Sequence, residues 1–311
     1  MRNLARILLW CVCLCIGCDV PFNPKGEYSE KVVVYSVLDL SKNVQFARAY
    51  FTYNVSGLDP RQNTMDPQIR NASFVVIDEA GRRYAFRDTL LKRETSDRYS
   101  ADVVAYYNRE LVPSPGKQYS LEVIVPEYGK ATATVSVPEP FSIYVNGSRA
   151  RSLFADSANP CNCIEVSLFS GSGAKGHFTR FFVDYTVKKK GEQGVTRRKE
   201  VPVSLRKGAD GSVIPIYPQP DRLLFMEFPK NLFLATVDDI RASDPTAEID
   251  IRYVTFISFA MEQNLYNYYL IARGFGDPFS VRLDAPDFTN IQNGLGVFGA
   301  VAVDSLTLPI R

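Results

Sequence analysis

The sequence KATATVSV, residues 130–137, decides the fold class. From Ala131 to Val137, apolar Ala and Val alternate with Thr and Ser without interruption. Successive side chains of a β-strand point to opposite faces of the sheet, so this alternation predicts a strand with one buried and one exposed face. The apolar face needs a second layer to cover it, and the segment therefore predicts a layered β structure.

The sequence upstream repeats this strand signal at short intervals. The apolar run Val32–Leu38 has the length of a strand, and Tyr119–Val125 alternates in the same way as residues 131–137. Further strands are predicted at Val44–Tyr53, Ala72–Ile77 and Arg82–Phe86. About seven short strands with turn residues between them, within about 110 residues, predict an immunoglobulin-like or transthyretin-like β-sandwich over residues 31–138.

Residues 139–311 predict a second β-rich domain with one helix, joined to the first by the stiff segment Val137–Pro140. We expect Ile164–Phe169 and Phe178–Val187 to form a hairpin around a glycine-rich loop. Val301–Leu308 predicts the last strand.

Helical spacing in the C-terminal half predicts the helix. Met261, Leu265, Tyr268 or Tyr269, and Ala272 recur at intervals of three or four residues, and Gly274 ends the pattern. We interpret this stripe as a surface that packs on a sheet rather than as a face that binds a ligand.

The first eighteen residues, MRNLARILLWCVCLCIGC, have the features of a lipoprotein signal. Arg2 and Arg6 precede the apolar stretch Ile7–Gly17, which is too short to cross a bilayer as a helix. Small residues stand just before Cys18, as in a bacterial lipobox. We therefore expect cleavage after residue 17, acylation of Cys18, and a short tether over residues 18–30. An ordinary cleaved signal is the alternative.

Acylation of Cys18 would make the membrane a partner of the chain, because two or more acyl chains, palmitate among them, hold a protein stably on a bilayer. The 36 basic residues lose Arg2 and Arg6 with the signal and then equal the 34 acidic ones. This balance argues against nucleic acid as a partner and against a polybasic contact with anionic lipid.

Only two of the six cysteines, Cys161 and Cys163, fall in the predicted folded part, so no disulfide framework is predicted. We prefer to interpret them as two partly buried thiols at the start of a strand; a small-ring disulfide or a bond to a partner are the alternatives. The single histidine, His177, would lie roughly 23 Å from Cys163 across the predicted hairpin, so we expect no metal site.

The motifs of common enzymes are missing or out of context. Gly171-x-Gly173-x-x-Gly176 matches a dinucleotide fingerprint as a string, but strand-like residues follow it where a helix is required. No nucleophile elbow accompanies His177. The acidic stretch from Asp238 to Asp250 lacks calcium-loop spacing and is interpreted as solvated surface. We predict no enzyme, and no catalytic, cofactor-binding or metal-binding residue.

The C-terminal sequence carries a resemblance to a known family. Asp277-Pro278-Phe279 and NIQNGLGVFGA, residues 290–300, resemble the close of the DUF4249 family of Bacteroidota envelope lipoproteins. VVVYSVL at 32–38, GKQYSL at 116–121 and LYNYY at 265–269 fit as well. The resemblance implies an envelope lipoprotein encoded near TonB-dependent receptors, and it supplies no catalytic residue. By its own composition, residues 290–300 predict a turn into the last strand rather than a binding loop.

Together these features predict an outer-membrane lipoprotein that acts as a non-catalytic binding or accessory component. We favour the interpretation that it belongs to a TonB-dependent uptake system. Two alternatives stay open. One is an envelope hydrolase, because paired carboxylates can come from distant positions in a sequence. The other is a structural or assembly lipoprotein. The sequence names no ligand.

Overall fold

The computed structural model describes residues 27–57, 59, 62–93, 99–145, 162–169, 171–274 and 288–310, with the backbone alone for 271–274. The predicted signal, Cys18 and Cys161 lie outside these ranges. The described chain is mainly β, as predicted, and it contains two helices, α1 (Lys230–Ala242) and α2 (Gln263–Gly274). Neither of these helices has the length and apolarity that crossing a membrane requires.

Strands make up most of the remaining described residues. In chain order they are β1 Val32–Asp39, β2 Gln45–Phe51, β3 Ser73–Asp78, β4 Arg83–Ala85, β5 Arg87–Leu91, β6 Val103–Asn108, β7 Gln118–Val125, β8 Gly129–Ser136, β9 Ser142–Val145, β10 Cys163–Phe169, β11 Gly176–Lys188, β12 Val195–Glu200, β13 Ser204–Lys207, β14 Val213–Ile216, β15 Phe225–Pro229, β16 Glu248–Met261 and β17 Leu295–Pro309. The five strands predicted between residues 32 and 125, the strand at 131–137 and the last strand are confirmed, with each end within six residues of its predicted position.

The largest sheet has eight strands in the order β12-β11-β16-β17-β1-β2-β6-β5. Its centre joins the two ends of the chain, because β1 pairs in parallel with β17 from Val33 opposite Leu295 to Asp39 opposite Val301. The sheet therefore contains strands from both predicted domains, and the predicted boundary at 138/139 separates segments that share one sheet.

The first core lies between this sheet and a four-stranded sheet of order β4-β3-β7-β8. Val34 and Phe298 from the large sheet pack in one apolar cluster with Phe74, Leu121 and Val135 from the smaller sheet. Val135 belongs to the alternating segment 131–137, whose Ala and Val side chains are buried as predicted. Two sheets thus face each other across the N-terminal core.

The second core covers the other half of the same face of the large sheet. There a three-stranded sheet of order β15-β10-β9 and helix α1 pack against β11 and β16, with Phe181, Phe228, Phe233 and Phe256 at the centre. The phenyl rings of Phe181 and Phe256 stack with centroids 4.4 Å apart. Helix α1 was not predicted, although Phe233, Val237 and Ile240 follow helical spacing on its buried side.

The predicted hairpin of Ile164–Phe169 and Phe178–Val187 is wrong. Both segments are strands, but β10 pairs with β9 and β15, whereas β11 pairs with β12 and β16. Alternation along a strand reports which side chains are buried and carries no information about the partner strand. Each strand has both edges occupied by other partners, and the two therefore lie in different sheets.

Candidate binding surface

The face of β1 and β2 that points away from the first core carries the large polar side chains of Tyr35, Arg48 and Tyr50. On β1, burial alternates so that Val34 and Leu38 face the core while Tyr35 and Val37 face outward. On β2, Phe46 and Arg48 face outward in the same way, and Arg48 lies directly opposite Tyr35. We call this side of the eight-stranded sheet the outer face.

Helix α2 lies on the outer face because glycine leaves room for it. A Cβ placed on Gly299 of β17 would be 2.8 Å from the Cβ of Leu265 in the helix. Leu265 is buried and packs with Met261, Tyr266 and Val301. Gly296 and Gly299 thus belong to a strand in close contact. The turn predicted over residues 290–300 is confined to the residues before Leu295, where β17 begins.

A buried carboxylate fixes the start of α2. The carboxylate oxygens of Glu262 accept hydrogen bonds from the backbone N–H groups of Asn264 and Leu265, each at 2.7 Å. These N–H groups have no partner within a helix, so Glu262 caps it. Burial raises the pKa of Glu262 to about 6, although the backbone donors oppose the rise.

The helix brings two tyrosines to the outer face of β1 and β2. The rings of Tyr35 and Tyr268 meet edge to face with centroids 5.8 Å apart, and Tyr268 meets Tyr269 at 6.2 Å. On β2, the guanidinium carbon of Arg48 lies 4.8 Å from the centre of the Tyr50 ring. We call these five residues, Tyr35, Arg48, Tyr50, Tyr268 and Tyr269, the tyrosine–arginine cluster.

The electrostatics of the cluster follow from partial burial. Burial raises the pKa of Tyr35, and a hydrogen bond with the side chain of Tyr269 adds to the rise. Burial also raises the pKa of Tyr50, and the positive charge of Arg48 opposes this rise. The phenols therefore stay neutral and keep their capacity to donate and accept hydrogen bonds. The Nε of Arg48 is buried and has no hydrogen-bond partner within the described ranges.

An apolar groove of about 420 Å³ adjoins the cluster along the same strands. Val37 and Phe46 lie two residues beyond Tyr35 and Arg48, so the groove starts about 7 Å from the cluster. Its lining consists of Val37, Asp39, Lys42, Asn43, Val44, Gln45, Phe46 and Val301. The volume falls within the range of about 300–1,000 Å³ that is typical of ligand sites.

Gln45 holds the turn that forms one wall of the groove. Its side-chain oxygen accepts a hydrogen bond from the backbone N–H of Asp39 at 2.9 Å, and its amide nitrogen donates to the backbone oxygens of Asp39 and Lys42 at 3.0 and 2.8 Å. Gln45 is buried, whereas Phe46 is 45% exposed. The groove thus combines a fixed frame with an accessible aromatic side chain.

His177, the glycine-rich string 171–176 and the acidic stretch 238–250 lie apart from this surface, whereas Tyr268 and Tyr269 of the predicted helical stripe belong to it. The stripe packs on the sheet through Leu265, as predicted. His177 is buried on β11, where its backbone exchanges hydrogen bonds of 2.6 and 2.8 Å with Asp221, and burial lowers its side-chain pKa. Gly176 begins a strand, β11, at the position where a dinucleotide site needs a helix, so the predicted strand after the glycine-rich string is confirmed. Asp238 and Asp239 are exposed on α1, as predicted for a solvated surface.

Cys163, at the start of β10, corrects one prediction. It is disulfide-bonded, so the preferred interpretation of two thiols is wrong for this residue. The other five cysteines of the chain lie outside the described residues, and so does its partner. Within the described ranges, no group of three or more His, Cys, Asp or Glu side chains is arranged to hold a metal ion.

The fold and the outer face define a mainly β protein with a candidate binding surface. Residues 19–307 match the family described as "Domain of unknown function (DUF4249)", and the chain belongs to this family. The resemblance drawn from residues 277–300 is thereby confirmed.

Other comparisons add little. No curated protein matches the chain. Among solved structures it is similar to a chain of a cytokine receptor complex, with 10% identity, a TM-score of 0.24 and coverage of 89% of this chain and 97% of that one. It is also similar to the C-terminal globular domain of an oligosaccharyltransferase from Pyrococcus abyssi, with 12% identity, a TM-score of 0.26 and coverage of 78% and 51%.

Proposed function

We propose that this protein is an outer-membrane lipoprotein that acts by binding rather than by catalysis, as an accessory component of a TonB-dependent uptake system. In this proposal acylated Cys18 holds the chain on the membrane. The groove and the tyrosine–arginine cluster form the surface that contacts the receptor.

The observation that carries the proposal is the position of the groove beside the cluster. Tyr and Arg are enriched among the residues that dominate the binding energy of protein interfaces, and such residues cluster around pockets that receive apolar side chains. Here Phe46 and Val37 line the groove, while Tyr35 and Arg48 lie two residues further along the same strands. An apolar side chain of a partner would fill the groove, and hydrogen-bond acceptors beside it would meet Arg48.

The anchoring half of the proposal rests on the N-terminal sequence and is tested at Cys18. Because a hydroxyl does not accept diacylglycerol in place of a thiol, Cys18→Ser is expected to leave an uncleaved or mislocalised precursor. The wild-type chain is expected to partition into detergent and to begin, by mass spectrometry, with an acylated Cys18.

Cys161→Ser is the matched control and is expected to change neither result, because residue 161 lies far from the signal in sequence. A wild-type protein that is soluble, with an unmodified N-terminus beyond residue 18, would contradict the anchored part of the proposal.

The binding half is tested by purification of the acylated chain from detergent-solubilised envelopes. Co-purification of a TonB-dependent receptor, identified by mass spectrometry, is the expected result. Its loss with Arg48→Ala, at unchanged thermal stability, would assign the contact to the outer face. Turnover of envelope glycans by the pure protein would contradict a purely binding role.

A further inference from the structure

The end of the fold at which β1 begins carries a group of exposed apolar and amphipathic side chains. We call this group the anchor-end rim; its members are Tyr28, Tyr53, Met65, Ile124 and Tyr128, each at least one-third exposed. Met65 is 78% exposed and Ile124 is 49% exposed. These side chains come from four different segments of the chain, which the fold brings to one end.

Contacts among the backbone segments hold the rim together. The hydroxyl of Tyr28 donates to the backbone oxygen of Thr52 at 2.6 Å, and the Tyr128 hydroxyl is hydrogen-bonded to Glu30. The rings of Phe51 and Tyr128 lie 4.6 Å apart.

Two further contacts place Met65 and Ile124 at the same end. The backbone N–H of Phe51 donates to the oxygen of Pro67 at 2.8 Å, which brings the segment that carries Met65 to the end of β2. Ile124 lies beside the β7–β8 turn, opposite Lys130. The rim is therefore a composite surface with a defined arrangement.

The chain leaves the described structure at this end, which limits how far the rim lies from the membrane. From Cys18 to Glu27 there are nine peptide units, which span about 30 Å at most when fully extended. This span is close to the length of β1 itself, roughly 26 Å for its eight residues. An acyl chain on Cys18 would therefore hold the rim within about 30 Å of the bilayer.

We propose that the anchor-end rim lies against the headgroup region of the membrane, with Met65 and Ile124 inserted at its apolar edge. The inference rests on the proposed acylation of Cys18. Tyrosine suits this boundary because its ring is apolar and its hydroxyl is polar. Lys130 is ion-paired with Glu122, and Lys31 lies close in sequence to Glu27 and Glu30, so the contact does not depend on anionic lipid.

The opposite end supplies a control position. Phe169 ends β10 and is 66% exposed. The chain after Phe169 leads to Gly176, and Gly176 pairs with Met261. Met261 pairs with Val301, which lies opposite Asp39 at the end of β1. Phe169 therefore lies about one strand length from the rim.

The experiment uses tryptophan as a local reporter, which is possible because the only tryptophan, Trp10, lies in the predicted signal. Met65→Trp, Ile124→Trp and Phe169→Trp are made in the full chain and purified in acylated form. Each variant is reconstituted in phosphatidylcholine vesicles with and without brominated acyl chains. We expect bromine to quench Met65→Trp and Ile124→Trp, and to leave Phe169→Trp unchanged.

The outcomes separate the two proposals. Acylated protein that floats with the vesicles, but whose Met65→Trp and Ile124→Trp emission is unquenched, would overturn the contact and leave the anchor intact. A chain without acylation would overturn both. Quenching of the rim positions that appears only with anionic lipid and disappears in high salt would overturn the neutral contact proposed here.

Discussion

The two faces of β1 and β2 differ in composition, and each difference has a separate consequence. The inner face presents Val34, Leu38, Ala47 and Ala49, all buried in the first core. The outer face presents the tyrosine–arginine cluster and the exposed Phe46. One pair of strands therefore stabilises the fold through one face and offers a binding surface through the other, so that changes on the two faces should affect different measurements.

The largest effect on stability is expected at the point where β17, which contributes side chains to both cores, lies against β1. Gly296 has φ +104°, and a Cβ there would lie 2.0 Å from the backbone oxygen of Val34. We expect Gly296→Ala to lower the free energy of unfolding by more than about 4 kcal/mol, measured by urea denaturation.

Gly81→Ala is the matched control, because Gly81 also has positive φ, +83°, but no atom within 4 Å of the added Cβ. Backbone strain alone should cost about 1–2 kcal/mol there. Equal losses for the two variants would contradict the close contact of β17 with β1.

The next effect tests the inner face directly. Phe298 is fully buried in the first core. We expect Phe298→Ala to lower the free energy of unfolding by about 3–5 kcal/mol, because a large buried side chain is lost and a cavity remains. A loss of less than about 1 kcal/mol in urea denaturation would show that this face does not carry the stability assigned to it.

A pH-dependent effect is expected at the start of α2, which lies on the outer face. Burial raises the pKa of Glu262 to about 6 from 4.5, so the folded state binds this proton more tightly than the unfolded state. Its contribution to stability is therefore full below pH 4.5 and falls as the pH rises through 6, by about 2 kcal/mol.

Glu262→Gln removes this titration while its side-chain oxygen can still accept a hydrogen bond from the helix. The free energy of unfolding of wild type relative to Glu262→Gln should fall between pH 4 and pH 7. A difference that stays constant over this range would contradict the burial of an ionisable carboxyl at this site.

The smallest effect on stability is expected on the outer face. Phe46→Ala makes the same deletion as Phe298→Ala, but Phe46 is 45% exposed. We expect a change of less than about 1 kcal/mol in the free energy of unfolding. A loss as large as that of Phe298→Ala would mean that the outer face is a second structural core, and the groove would lose its interpretation as a binding surface.

Local patterns explain which parts of the fold could be predicted from the sequence. Residues 131–137 and 32–38 became strands where predicted because alternation is set by the burial of neighbouring side chains. The helix ending at Gly274 followed from its spacing, although Met261, the first residue of the predicted pattern, ends β16 instead. In each case the signal lies within one element.

Pairing and the candidate surface depend on residues far apart in the chain. The alternation of apolar and polar residues indicates neither the parallel pairing of β1 with β17 nor the separation of β10 from β11. The tyrosine–arginine cluster combines two strands with a helix more than 200 residues later. One local signal was present in the sequence. Tyr35 and Arg48 are large polar residues at outward positions of strands that are mostly apolar, and both side chains are only partly exposed.

The most direct test of the outer face as the binding surface is site-specific photo-crosslinking in cells that express the acylated chain. A photoreactive phenylalanine analogue replaces Phe46 in the groove, or Leu234 on α1 as a control that is 52% exposed. We predict an adduct with a TonB-dependent receptor from position 46 and none from position 234. Failure of position 46 to form an adduct, or the same adducts from both positions, would contradict the assignment of the groove as the receptor contact.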